Sequence, residues 1–370
     1  MKKLTLLFVS LVMITSLIAG CAKAPATVAP TEAVAATEVG PVVITDAVGR
    51  TITFETLPQR IVIAGKATAL LLDTFYMFPE ASERLVAYEM RSQNSASFLA
   101  IVDPALGDKI ALENNSAAEQ IASATPDLVI LKTYMTESLG APLEALGIQV
   151  MYVDMETPAT FFSDVRNLGA VLGNPARAEE LVAYYQGVVD SIAAKTSALT
   201  DEQKPNVLLL QQSNKDNEIA FKVAPVEWLQ TMMVTNAGGN PVWADTADPS
   251  GWAVVTVEQV AAWDPDIILI VNYSGDAPAV VEGLKADATW SALRAVQDGK
   301  IYAFPMDFLS WDQPDSRWSL GMLWTATAVQ PELFADVDMT TEITNFYKTV
   351  YNLDDQTITD QILPLLTGGK

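Results

Sequence analysis

The sequence predicts an α/β protein of two lobes, each built on a central parallel sheet, joined by a long backbone helix. Three observations carry this. First, residues 119–131 read EQIASATPDLVIL and residues 258–270 read EQVAAWDPDIILI. In both, Glu-Gln opens a short helix, Pro126 or Pro265 stops it, and the run after Asp is apolar enough for a strand buried on both faces. That step is half of a βαβ unit, and two copies so far apart predict two similar lobes rather than a solenoid. Second, short apolar runs alternate with segments of helical period on either side of each copy, the order of a parallel sheet. Third, Pro175 to about Ser197 carries a single apolar stripe (Leu181, Val182, Tyr185, Val188, Val189, Ile192) long enough to be a stiff connector. An ordinary surface helix of one domain is the other reading of that stripe.

The N-terminus precedes the fold. Lys2-Lys3 and the apolar stretch Leu4–Ala19 read as an export signal over residues 1–20, too short to span a membrane comfortably. Leu17-Ile18-Ala19-Gly20-Cys21 resembles a bacterial lipobox, so Cys21 is expected to carry lipid and hold the exported protein to the periplasmic or outer cell-surface side of a membrane. Residues 21–40 lack large apolar side chains and read as a disordered tether, with a reach on the order of 25 Å. The three following segments are an N-terminal lobe over 41–157, linking helices with the strut over 158–198, and a C-terminal lobe over 199–370.

Composition excludes several chemistries. A formal net charge of −23 and few clustered basic residues argue against nucleic acid and bare anionic membrane as partners. The chain has no histidine and one cysteine, Cys21. It therefore has no Ser-His-Asp or Cys-His machinery, no His-ligated zinc site and no intramolecular disulfide. A bare metal ion would have only carboxylates, Tyr and backbone oxygen, so neither a metal site nor a cofactor is expected.

In chain order, VVITDAVGRTITF (42–54) reads as a hairpin. IVIAG, ending at Gly65, is a buried strand, ATALLLDTFYMF a helix, and Leu85–Tyr88 the next strand. Leu128–Leu131, a helix around Leu139–Leu146 and VMYVD (150–154) complete the first lobe. Helices over Pro158–Leu172 and from Pro175 follow, divided by Gly173-Asn174. In the second lobe the expected elements are the strand VLLLQQ, a helix near Val226–Ala237, the strand Ile267–Val271, a helix including Trp290 and Leu293, and the strand Lys300–Phe304. Helices over Arg317–Ala328 and Thr341–Val350 close the chain.

In this order, the lipobox, DAVGR before LPQRIVI, Glu119 with Pro126-Asp127, Leu146-Gly147, the Gly173 junction, Gly238-Gly239-Asn240, Gly251-Trp252, and Glu258 with Pro265-Asp266 resemble the substrate-binding lipoproteins of ABC importers of the helical-backbone class. The resemblance covers nearly all of the mature chain. It implies a non-enzymatic, monomeric solute receptor serving a permease dimer and its ATPase subunits. It also implies a ligand such as a ferric siderophore, cobalamin, haem or a simpler metal species, captured between the lobes. A glutamate on each lobe docks on the permease in that family, and the matching residues are Glu119 and Glu258. From the residues alone, each reads first as a solvated acid near a helix N-terminus.

Ligands of open parallel sheets sit beyond the carboxyl ends of the strands. That rule selects Arg91, Lys132, Tyr134 and Tyr273, with Trp243 and Trp252 on the loop entering the second copy. The segment SWDQPDSRWSLG adds Trp311 as a flat face and Arg317 as a bidentate donor held by Asp312 and Asp315. A plain helix start with a buried Trp318 explains the same segment. Of the chelates, a ferric siderophore fits best, ahead of cobalamin and haem. An exported carboxylate-dependent hydrolase and a lipid-anchored interaction protein remain as readings from other classes, although no pair of acids is singled out for hydrolysis.

Overall fold

Two β-sheets organise the computed structural model, which describes residues 40–90, 95–215, 218–274 and 276–369. The export signal, Cys21, the tether and Arg91 lie outside the described residues. A hairpin of β1 (Val42–Thr45) and β2 (Thr51–Phe54) enters the first lobe, with Gly49 at φ 80° in its turn. Left-handed backbone there favours glycine.

The first sheet contains β3 (Ile61–Ile63), β4 (Leu85–Glu89), β5 (Ile110–Leu112), β6 (Leu128–Lys132) and β7 (Val150–Val153), in the order β5-β4-β3-β6-β7. Every pairing is parallel. Helices α1 (Thr68–Phe75), α2 (Ala81–Arg84), α3 (Ser95–Val102), α4 (Ala118–Ala122) and α5 (Ala141–Ala145) provide the crossovers. β5 was not expected, because two of its three residues are exposed and leave no apolar run.

α6 (Pro158–Leu172) and α7 (Pro175–Thr196) follow, and Gly173 at φ 77° ends the first of them. At 22 residues α7 is about 33 Å long. Arg177 Nε donates to Met77 O of the first lobe at 3.1 Å, and Thr196 Oγ1 to Asn236 O of the second at 2.9 Å. The helix is therefore tied at both ends to different lobes, as a connector requires.

The second lobe runs through β8 (Asn206–Lys215), β9 (Glu218–Val223), α8 (Leu229–Asn236), β10 (Asn240–Pro241), β11 (Ala253–Val255), α9 (Val257–Trp263) and β12 (Ile267–Val271). It continues through α10 (Ala277–Ala286), α11 (Arg294–Gln297), β13 (Ile301–Met306), α12 (Trp318–Val329), α13 (Met339–Tyr351) and β14 (Thr367–Gly369). The order is β11-β9-β8-β12-β13-β14, with β10 beside β8. Its centre is parallel, but β9, β11 and β14 pair antiparallel, so this sheet is mixed. The flanking strands are short or half-exposed, which hides them from a search for buried runs.

In both lobes the strand of the repeated stretch, β6 or β12, lies parallel beside the central strand, β3 or β8. The lobes share one continuous hydrophobic core, and the first lobe has a second, smaller core on its other face. Among the described residues, no helix is long and apolar enough to cross a membrane.

Candidate functional site

The carboxyl ends of the parallel strands at the centre of the two sheets meet. In the first lobe the strand order reverses between β3 and β6, the position at which open α/β sheets bind ligands. The residues at and just beyond these strand ends are Gly65-Lys66-Ala67 and Lys132-Thr133-Tyr134. Ala67, Ala69 and Leu70, at the start of α1, pack against Leu309 from the loop after β13 of the second lobe. Glu156, after β7, lies close enough to Tyr273, after β12, for its charge to add to the upward shift of the Tyr273 phenol. The space bounded by these strand ends is the candidate site.

Its second-lobe wall is aromatic. Trp228 and Trp252 meet edge to face with ring centroids 5.9 Å apart, and Trp252 meets Tyr273 at 6.4 Å, with interplanar angles of 85° and 73°. All three rings are half-buried. Behind them lies Asp312, which is fully buried. It accepts from Tyr273 Oη at 2.7 Å and Gln230 Nε2 at 3.2 Å through Oδ2, and from Ser310 Oγ at 2.6 Å through Oδ1. Burial raises the Asp312 carboxyl to about 6 against the pull of those donors, while burial and then Asp312 hold the Tyr273 phenol well above its ordinary value. Asp312 thus serves Tyr273 instead of Arg317, the partner expected from their proximity in sequence.

The first-lobe wall is polar. Lys132 is 1 % exposed, and its Nζ donates to Asp154 O and pairs with Glu156 Oε1, the latter at 2.7 Å. The turn that presents these groups is held by Asp164 of α6, whose Oδ2 accepts from Asp154 N at 2.8 Å and Met155 N at 3.0 Å. Met155 has left-handed backbone, φ 58°, uncommon for its type. Tyr134 is 54 % exposed and Lys66 is exposed.

Arg317 differs from expectation. It is fully buried, at the junction of the lobes. Its guanidinium pairs with Asp73 of α1, with Asp307 at 2.7 Å and with Asp315 at 3.2 Å, and its carbon lies 4.5 Å from the Phe98 ring centroid. Tyr347 and Tyr351 of α13 close the network, and Tyr185 of α7 donates to Ser316 O. Burial opposes the charge of Arg317, but Asp307, Tyr347, Asp73 and Asp315 together outweigh it and raise its pKa; burial also pushes Asp315 up to about 8 and Asp73 to about 6. Asp73 and Asp307 lie far from Arg317 or off its helix, so spacing along the chain gave no sign of them.

Two tryptophans also differ from expectation. Trp243 is fully buried, donating Nε1 to Ala224 O at 2.9 Å. Trp311 is 2 % exposed; its Nε1 donates to Asp307 Oδ2, and it borders a cavity of about 430 Å³ with Pro305, Trp324 and Phe334, inside the second lobe. Apolar rings in a loop satisfy a core as readily as a ligand. Trp228 and Gln230 escaped the sequence reading because they follow an antiparallel strand that was itself unrecognised.

Glu119 and Glu258 occupy the first turns of α4 and α9, and both are exposed. The neighbouring glutamines close the helix starts: Gln120 Oε1 accepts from Ala117 N and Gln259 Oε1 from Thr256 N, each at 2.9 Å. Among the described residues, no group of three or more Cys, His, Asp or Glu is arranged to hold a metal ion.

Known proteins of similar sequence and fold agree with this architecture. The chain is 24% identical over 260 residues to the molybdate-binding protein MolA of Haemophilus influenzae, covering 64% of this chain and 70% of that one. It is 23% identical over 350 residues to YvrC of Bacillus subtilis, described as an uncharacterized ABC transporter substrate-binding lipoprotein, covering 91% and 100%. A crystal structure of a periplasmic solute binding protein from Veillonella parvula superposes with a TM-score of 0.70 at 26% identity, covering 87% of this chain and 97% of that one. Residues 87–307, more than half of the chain, match the family described as periplasmic binding protein. The chain therefore belongs to the periplasmic binding protein family and is the solute-binding component of an ABC transporter.

Proposed function

We propose that this solute-binding protein captures a metal chelate with an organic body, of the ferric siderophore kind, between its lobes and delivers it to a membrane permease. The observation that carries the reading is the aromatic wall of Trp228, Trp252 and Tyr273 at the mouth of the second lobe. Half-exposed rings give contact area to an organic scaffold and little to a bare ion. A free oxyanion is less well served, because Lys132 and Arg317 are already paired with carboxylates, which leaves Lys66 as the exposed cation among the described residues after β3 and β6. Tyr134 and Arg91 complete the proposed first-lobe contacts. No catalytic pair is assigned, and the protein acts without chemistry on its ligand. Cys21 anchors it through lipid, and Glu119 and Glu258 contact the permease.

Titration of the purified protein by tryptophan quenching against ferric siderophores, cobalamin, haem and molybdate tests this. Saturable quenching by a ferric chelate, lost in Trp252→Ala, is expected. Binding of molybdate alone would overturn the reading.

A further inference from the structure

The rings of Trp228, Trp252 and Tyr273 meet in turn at 85° and 73°, and all three are half-buried. The negative side of an aromatic quadrupole attracts organic cations wherever such a ring leaves part of its face uncovered. Behind the rings, Asp312 has three neutral donors and, among the described residues, no cationic partner: Tyr273, Gln230 and Ser310 orient its oxygens without cancelling the charge. Across the gap, Glu156 adds a carboxylate, although Lys132 offsets it in part. Each of these features disfavours an anion at this wall.

We propose that Trp228, Trp252 and Tyr273, backed by Asp312, form a cage for an alkylammonium group of the ligand. The proposal rests on the reading of the cleft as the ligand site and narrows it: the chelate carries a positively charged arm, which enters the cage while the metal-bearing body lies against the first lobe. The same chemistry could be supplied by a free organic cation with no metal. Trp228, Trp252 and Tyr273 would then set specificity through charge, and Asp312 would be a positioning residue that holds Tyr273 in place and supplies the field.

Calorimetric titration separates these cases with three probes: a ferric tris-hydroxamate bearing a free ammonium group, the same chelate N-acetylated, and choline. Acetylation is expected to weaken binding about tenfold, the difference made by one desolvated cation–π contact. Trp252→Leu and Asp312→Asn should each bring the two chelates to within about twofold of one another, with thermal unfolding used to confirm that both variants fold. Equal affinity for the two chelates in the unmodified protein, or discrimination unchanged in both variants, overturns the cage. Tight binding of choline that depends on Trp252, with no chelate bound, supports the cage and overturns the chelate reading instead. Binding of none of the three probes overturns the cage.

Discussion

Asp127 and Asp266 make the same tie in the two lobes. Asp127 N donates to Arg60 O at 2.9 Å while its carboxylate accepts from Gln59 N and Arg60 N at 2.8 and 2.9 Å. Asp266 N donates to Asn206 O at 2.8 Å while its carboxylate accepts from Asn206 N at 2.7 Å. Each aspartate thus joins the start of its own strand to the start of the central strand. The residue before each Pro, Thr125 or Asp264, has left-handed backbone, and its carbonyl accepts from an arginine, Arg60 in one lobe and Arg294 in the other. The arginines come from different elements, so the lobes share a solution without sharing every residue.

Asp127→Ala should lower unfolding free energy by about 1.5–3 kcal/mol, the usual worth of a hydrogen bond to a charged group. Asp266→Ala should act in the same direction. Urea denaturation with tryptophan fluorescence reads both, and a change below about 0.5 kcal/mol at both sites would contradict the tie.

The lobe junction should respond more strongly. Arg317→Ala leaves Asp73, Asp307 and Asp315 buried without a cation, and removing one partner from a buried pair costs about 3–5 kcal/mol. Asp73→Asn should cost less, because Arg317 keeps two carboxylates. Denaturant midpoints of the two variants check this ranking.

Burial pushes the Asp164 carboxyl up to about 7, against the hydrogen bonds it accepts from Asp154 and Met155. The folded state therefore holds a proton that the unfolded chain releases near pH 4. This contribution to stability is complete below that pH and is lost as pH rises to about 7, with a slope on the order of 1.4 kcal/mol per pH unit. Asp164→Asn should remove that slope, so urea midpoints of the variant should fall less than those of the unmodified protein between pH 5 and pH 7.

Glu119→Ala combined with Glu258→Ala should leave ligand affinity within about twofold of normal and reduce uptake in cells at least tenfold, since close interfacial charge pairs couple by about 1.5–7 kcal/mol. Ligand titration and transport assays on the same double variant give the comparison. Normal uptake would assign both glutamates to the solvated helix starts at which they lie.

The lobes should also move little on ligand binding. α7 is tied to both, and the Asp73–Arg317 pair crosses between them. Small-angle scattering with and without ligand should give radii of gyration equal to within about 1 Å, whereas a wide hinge closure would change them by more.

The sequence by itself determined the elements whose signals are local. β3, β6, β8 and β12 are buried on both faces and read as apolar runs, α7 carries one long stripe, and Pro-Asp after Glu-Gln ends a helix and begins a strand twice. Only the tertiary structure decided what those elements bring together. β9 and β11 are half-exposed, so Trp228 and Gln230, expected only as part of a helix near Val226–Ala237, gave no sign of lining the site. Arg317 and Trp311 sit in a loop rich in charge and aromatic surface, which suits a ligand and a buried junction equally. The choice was made by Asp73, which reaches Arg317 only when the lobes pack, together with Asp307 of its own lobe. The folding of the second lobe turned Asp312 toward Tyr273, because a buried carboxylate takes the donors within reach whatever their distance along the chain.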